Sequence, residues 1–595
     1  MLAKNNNDKL MEKGIEEQVV PFYQIWQELV DRRTLDVYQY RVLTASSALS
    51  ELSLVIEKTL SGLFTSDANI EACREETLYI LNNDPVLPKY NIALLNRLRA
   101  SLGKISKSNA DKNRLLQQIK YANRYIGANY LKNALTELRF AIISRDIGAI
   151  EQNANIVASQ AIYNGWSPRG LLDLLKFFTQ GSEFDAQWND FTRKLSGSSK
   201  TTHHVLISVP FQGQAQETQA EALNALNRLG LNLKTHENIV SEFSDVPDIA
   251  TLVNAQKRYF YVSVDSYDIY AAALLAISQI SERLNLASFY NLINAWDLKS
   301  VVIISINTRS GYHRPLSAKD LFETHDYLDS SGRIFEKTRI VFTDEKKKTI
   351  REKLQGSFGY TNISRASLFQ EEKYMNLWVA LESLARTDMY SDIISNVRET
   401  VPSAICLRYI YRIVRNFIED CKRCGVSYSF SSCSIDMDQE AKENLVKETI
   451  SMMRDNTLFS ELKQKCIVNA LLHHRIDSIR RLITDVAYAK EKVENHYRRV
   501  NWQIQRLYRI RNEIAHAALR EQTSLIVYIE HLYDYLSTYI SEIVTYLVDE
   551  NLPTMEEALC LIKDNYEVFL AIANSPDTSP IYNETLSSGI INLIK

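Results

Sequence analysis

Arg506-Leu-Tyr-Arg-Ile-Arg511-Asn512-Glu513-Ile514-Ala515-His516-Ala-Ala-Leu519 is the stretch around which the chain is read. Ala, Leu, Ile, Arg and Glu favour helix and no Gly or Pro interrupts them, so the segment reads as one continuous helix. Five helical steps set Arg511 and His516 roughly 140° apart around the axis, while Asn512 and His516, four apart, share a face. A long Arg side chain can swing toward that face, so Arg511, Asn512 and His516 can converge on one small volume. Arg supplies a rigid fork of donors that suits a phosphate. His transfers protons near neutrality. Together they can cleave RNA without a metal: His516 would handle the proton of the 2′-hydroxyl or of the leaving 5′-oxygen, and Arg511 would stabilise charge on the phosphate. The plainer alternative is a pair of surface residues or a structural contact.

The run Arg511-Asn512-x-x-x-His516, with Ile514 and small Ala515, Ala517 and Ala518 around it, resembles the motif of the HEPN superfamily. That name covers helical bundles of prokaryotic toxins, antiphage proteins and CRISPR-associated ribonucleases. Upstream, Tyr374-Met-Asn-Leu-Trp378-Val-Ala-Leu381-Glu382-Ser-Leu384 resembles the opening helix of the ApeA-like branch, an aromatic and apolar helix carrying one Glu. The segments lie about 130 residues apart and place a HEPN-like bundle at 366–548, under a third of the chain. The resemblance implies a metal-independent endoribonuclease that needs no cofactor, with two bundles paired as a homodimer around one composite site. It implies that Arg511 and His516 are catalytic and that Asn512 orients the His or contacts phosphate. Glu382, from a facing helix, would hold Arg511 by a charged hydrogen bond. The implied products are a 2′,3′-cyclic phosphate and a 5′-hydroxyl. The implied role is antiphage defence or toxicity by abortive infection, with the other domains sensing a phage-derived or regulatory trigger. A second reading keeps the bundle as a non-catalytic dimerisation or scaffold module, Arg511 bridging Glu382 and His516 packing between helices.

Composition bounds the rest. At 595 residues, 45% hydrophobic and 24% charged, the chain reads as a globular protein of several domains. A net charge of −3 carries no global nucleic-acid signature. Locally, Arg475 to Arg520 holds 11 Lys/Arg against 5 Asp/Glu, a net of +6, interleaved with Tyr488, Tyr497, Trp502 and Tyr508. Such a helix pair can hold an RNA backbone and stack bases, with Arg498, Arg499, Arg506 and Arg509 as candidate contacts; alternatively the charges solvate the outer faces of bundle helices. The N-terminus lacks a signal-peptide core, and no run of 18 apolar residues predicts a membrane span. Seven irregularly spaced cysteines fit a reducing cytosol.

The expected architecture is multidomain and mostly α: a helical region at 1–195, an α/β domain at 200–350, the bundle at 366–548 and a helical tail at 552–595. Apolar residues recur at helical spacing in Val19–Val30, Ala45–Phe64, Tyr90–Leu102 and Leu115–Ile143. Helices should start at Thr34 and at Ser167-Pro168, and Tyr121–Asn164 should form an antiparallel pair. After a Gly/Ser linker at 195–200, strands are expected at His203–Val209, Arg258–Val264, Ser300–Ile306 and Arg339–Phe342, alternating with helices Glu217–Leu229 and Tyr270–Leu284. No phosphate-binding glycine loop appears. Asp265 and Asp268 could bind a metal or cap a helix, and His203 and His204 should point to opposite sheet faces. Gly356–Gly359 should separate the middle domain from the bundle. Cys421-x-x-Cys424, with Cys433, His473 and His474, offers either a zinc site or ordinary thiols. The tyrosines of Thr523–Val548 suit a core or an interface.

Overall fold

The computed structural model describes residues 6–30, 43–64, 67–103, 108–179, 183–197, 200–208, 224, 226–289, 303–307, 312–316, 321, 333–367, 369–427, 429–430, 433–434, 442–517 and 525–572. Up to residue 197 these are helical, as their apolar spacing predicts. The helices are α1 (Asn7–Met11), α2 (Val20–Val30), α3 (Ala45–Leu60), α4 (Ala68–Asn83), α5 (Leu87–Tyr90), α6 (Ile92–Leu102), α7 (Asn109–Ser144), α8 (Ile147–Tyr163), α9 (Pro168–Asp173) and α10 (Phe184–Ser196). The α7–α8 pair is the expected antiparallel hairpin. Arg145, at φ 56°, ends α7, and Asp146 starts α8 by accepting the Ala149 N–H at 3.0 Å. Ser167 caps α9 by accepting the Gly170 N–H at 2.9 Å, with Pro168 at the first helical position. Phe22, Trp26, Phe178, Trp188 and Phe191 interlock at the core, and the Trp26 indole donates to the Leu171 carbonyl at 2.9 Å. The expected helix start at Thr34 lies outside the described residues.

The middle region carries β1 (Thr201–Ser208), β2 (Asn232–Lys234), α11 (His236–Glu242), α12 (Ile249–Leu252), β3 (Tyr259–Ser266), α13 (Ile269–Phe289), β4 (Ile303–Asn307) and β5 (Tyr312–Leu316). The strands form one antiparallel sheet in the order β2-β3-β1-β4-β5. Both faces are covered: Val205, Ile207 and Phe260 pack on α13, while Leu206, Ile304 and Ile306 pack on Ile239, Phe243 and Ile249. This explains the unbroken apolar runs of β1 and β4. The two edge strands escape sequence reading because they are short and β5 contains Pro315, which only an edge tolerates. Of the expected helix 217–229, residues 217–223 and 225 lie outside the described residues. Residues 226–228 are helical and end at Gly230, at φ 73°.

One expected strand is a helix. Arg339–Phe342 lies within α14 (Arg333–Thr343), because its buried positions, Lys337 and Val341, recur four apart rather than two. The expected break at Gly356–Gly359 is also absent: both glycines sit inside α15 (Lys348–Ala366). Val341, Ile350 and Leu354 share a core with the bundle, so the helical unit begins near Arg333 rather than at 366. It continues through α16 (Gln370–Ala385), α17 (Ile393–Leu407), α18 (Tyr409–Cys424), the two-residue strands β6 (Ser429–Phe430) and β7 (Cys433–Ser434), α19 (Lys442–Arg454), α20 (Asn456–Lys465), α21 (Ala470–Thr484), α22 (Val486–Ala517), α23 (Leu525–Asp549) and α24 (Met555–Ile572). The tail helix α24 joins the same core through Met555, Leu559 and Ile562. Tyr533, Tyr535, Tyr539 and Tyr546 of α23 are buried there, as core residues. No helix among the described residues is long and apolar enough to cross a membrane.

The N-terminal helices join both other regions. Asp268 caps α13 through the Tyr270 and Ala271 N–H groups, at 2.9 and 2.8 Å, and accepts the Ser167 N–H and hydroxyl at 2.8 and 2.7 Å. A Cβ on Gly170 would sit 2.3 Å from the Asp268 carboxyl carbon, so this close approach requires glycine. Asp265 accepts the Thr202 hydroxyl at 2.8 Å. Toward the bundle, Arg475 of α21 reaches Glu28 of α2 and Glu151 of α8, at 2.5 and 3.0 Å.

Candidate functional site

Helix α22 carries the motif. Asp485 opens it by accepting the Tyr488 N–H at 3.0 Å, and 32 residues extend it for about 48 Å. It is amphipathic: Val493, Val500, Ile504 and Leu507 bury one face among the bundle helices. Arg511 lies near its end. One Nη donates to the Asn512 side-chain oxygen at 3.0 Å, and Nε is buried without a hydrogen-bond partner. Ile514 packs on the bundle core and Ala515 is exposed. The His516 backbone belongs to the helix; its side chain lies outside the described residues.

Helix α16 crosses this region one turn earlier. The Tyr374 hydroxyl donates to the Leu507 carbonyl at 2.5 Å, and the Trp378 and Tyr508 rings lie 5.8 Å apart. Glu382, however, does not meet Arg511. Its carboxylate accepts the Trp378 indole N–H at 2.7 Å, one helical turn back on its own helix, which corrects the expected cross-helix hydrogen bond. The sequence could not separate these two uses, because Trp378 and Glu382 stand four apart, the spacing at which side chains on one helix meet.

The four arginines expected to touch RNA divide into two pairs. Arg498 and Arg499 are exposed, with no carboxylate partner among the described residues. Arg499 donates to the Tyr79 hydroxyl at 3.1 Å, and Arg498 to Asn495 at 2.6 Å. Arg506 and Arg509 are 3% and 4% exposed, facing the N-terminal helices. Arg506 holds Glu51 through Nε at 2.8 Å and pairs with Glu76, and Arg509 pairs with the same Glu51. As placed here they are internal ion pairs and cannot reach an RNA backbone, which corrects that expectation. Burial opposes ionisation of Glu51, but the two arginines outweigh it and hold its carboxyl below the usual range. Burial and the neighbouring Glu51 push Glu76 upward despite Arg506. One turn on, Lys58 pairs with Glu513. Three successive turns of the motif helix are therefore held by N-terminal side chains. The missed signal is in α3 and α4, where Glu51 and Glu76 sit next to buried Leu52 and Thr77 and need basic partners.

The aromatic residues of α22 likewise stack within the chain. Tyr497 lies on Tyr566 at 4.8 Å, and Trp502 lies against Tyr79 at 5.4 Å. His203 and His204 point to opposite faces as expected. Burial depresses the pKa of His203 to about 4, while His204 meets the Tyr261 hydroxyl at 2.7 Å. Cys421, Cys424 and Cys466 are buried; burial holds the Cys421 thiol well above its usual value and pushes Cys424 up to about 12. The Cys433 side chain lies outside the described residues. Among the described residues no three His, Cys, Asp or Glu side chains gather to hold a metal ion. Comparisons with protein-family models, with curated proteins and with solved structures each found no match to this chain.

Proposed function

We propose that the chain is a metal-independent endoribonuclease of the HEPN type. The observation that carries this reading is Arg511, half-buried, steadied by Asn512 and keeping one buried donor unpaired, five residues before His516 on the same helix. An unpaired buried N–H is costly, and a phosphate oxygen relieves that cost. In the proposed reaction the 2′-hydroxyl attacks its own phosphorus and the 5′-oxygen leaves. His516 moves the proton, and Arg511 balances the charge that builds on the phosphoryl oxygens. The products are a 2′,3′-cyclic phosphate and a 5′-hydroxyl. Asn512 positions Arg511, and exposed Arg498 and Arg499 contact the RNA backbone. A homodimer through the bundle completes the site by pairing two motifs.

The N-terminal helices act as the restraint. Glu51, Glu76 and Lys58 pin the motif helix, and a phage-derived or regulatory trigger would loosen that grip in a cytoplasmic antiphage or toxin system. The test is cleavage of total RNA by purified full-length protein in EDTA. With the restraint loosened by Lys58→Ala, the protein should yield fragments with cyclic-phosphate ends, while adding Arg511→Ala in that background should leave it inert yet folded. Cleavage that EDTA abolishes, or that Arg511→Ala retains, rejects the proposal. A second reading, a non-catalytic scaffold, is favoured by the engagement of Glu382 with Trp378 and of Arg506 and Arg509 with carboxylates. It predicts identical behaviour of wild type and variant under phage challenge.

A further inference from the structure

A cavity of about 560 Å³ lies where α4 and α8 meet α18, α21, α22 and α23. Its volume falls within the range of small-molecule sites, and its place between two regions of one chain is a common location for them. Part of its wall is apolar, formed by Ile80, Phe417, Ile479 and Leu482. Two ring pairs also face it: Tyr409 and His496 stack at 4.4 Å and 28°, and Tyr79 and Trp502 lie 5.4 Å apart.

Four cations (Arg412, Arg475, Lys492 and Arg499) and four carboxylates (Glu76, Glu151, Asp420 and Asp534) line it, but they are not paired one to one. Arg412 pairs with Asp534 at 2.9 Å, Arg475 with Glu151 at 3.0 Å, Glu76 with Arg506 from behind the wall, and Asp420 with Arg423 at 3.7 Å. Two lining cations remain without a carboxylate among the described residues. Lys492 rests over the Tyr488 ring at 4.9 Å, and Arg499 meets only Tyr79. Rings for a flat apolar surface, beside two cations that form no ion pair among the described residues, match a planar base joined to a phosphate.

We infer that this cavity binds a nucleoside phosphate, its base against the Tyr409–His496 stack and its phosphate on Lys492 and Arg499. The occupant would touch α4 and the motif helix together, so binding would bear on the contact that Glu76 makes with Arg506. The ligand could be a free nucleotide or the terminal nucleotide of an RNA. The site uses neither Arg511 nor His516 and shares only Arg499 with the cleavage proposal, so loss of cleavage leaves nucleotide binding as a separate readout.

The test is calorimetry on full-length His516→Ala protein, so that no oligonucleotide is consumed. The ligands are ADP, adenosine, inorganic phosphate and a trinucleotide with a terminal phosphate. Saturable binding of one ADP per chain is expected, with adenosine and phosphate each weaker. Lys492→Ala with Arg499→Ala should weaken ADP by roughly tenfold or more, the usual worth of charge-assisted hydrogen bonds. Tyr409→Ala should weaken it as well; if that variant unfolds, the Lys492/Arg499 pair, which is at least partly exposed, carries the test. Tighter binding of the trinucleotide identifies an RNA end as the source and keeps the site. No saturable binding of ADP or the trinucleotide at millimolar concentration overturns the inference. So does unchanged affinity in a Lys492/Arg499 variant whose circular dichroism matches wild type.

Discussion

Arg498 and Arg499 stand on the same helix as Arg506 and Arg509, about 12 Å away along the axis, yet the two pairs live in opposite surroundings. Among the described residues the first pair is exposed and touches only neutral groups, while the second is buried against Glu51 and Glu76. The helix is basic along its whole length, so its own sequence does not mark the change. The facing residue does: α4 meets Arg498 and Arg499 with Tyr79, whereas Glu51 of α3 and Glu76 of α4 meet Arg506 and Arg509. A basic run thus states how much charge a helix carries, and only the residues packed on it decide whether that charge faces solvent, ligand or protein.

Arg511 sharpens the comparison, being half-buried and without an ion pair among the described residues. Arg511→Ala should lower RNA cleavage about 10²-fold or more with little change in unfolding midpoint, read from gel assays and urea melts side by side. Breaking the buried pair should act on stability first. Glu51→Ala leaves Arg506 and Arg509 short of their shared partner and should cost about 3–5 kcal/mol. If N-terminal restraint is real, the milder Lys58→Ala should raise cleavage by the protein rather than lower it.

A second buried carboxylate isolates the effect of partner number. Glu542 is wholly buried and paired with Arg408, but neither of its oxygens accepts a well-formed hydrogen bond. Burial outweighs Arg408 here and pushes its pKa up to about 7, whereas two arginines hold Glu51 low. The folded value lies above the unfolded one, so the proton favours the fold. The stabilisation is complete below pH ~4.5 and is lost as pH rises through about 7, a change of at most roughly 3 kcal/mol. Glu542→Gln should flatten that slope in urea melts between pH 5 and 8; an unchanged slope would assign it elsewhere. The smallest effect belongs to the exposed pair. Arg498→Ala with Arg499→Ala should change stability by under about 1 kcal/mol. The same change should reduce the salt dependence of RNA binding by roughly two phosphate contacts.

Much of the fold was legible where one period dominates. The long helices of residues 6–197, the α7–α8 hairpin, strands β1, β3 and β4, and the cap at Ser167 follow from local spacing and local chemistry. The errors came where local signals are degenerate. Arg339–Phe342 is a short apolar run that fits either period, and Gly356 and Gly359 sit on a helix face with open space around them rather than at a break. At the candidate site, the motif residues were legible as types at a spacing. Their partners were not, because Glu51, Glu76, Lys58 and Tyr79 lie more than 400 residues away along the chain. The sequence around Glu51 and Glu76 shows that each needs a basic partner, but nothing in it says which of the distant arginines supplies one.

The most direct test of the central claim is cleavage by His516→Ala protein. Full-length wild type and variant should be incubated with RNA in EDTA, after circular dichroism has confirmed that both are folded. The account predicts fragments ending in 2′,3′-cyclic phosphate from the wild type and none from the variant. Equal fragmentation by both, or none by either across infected-cell extracts and RNAs of several classes, contradicts it.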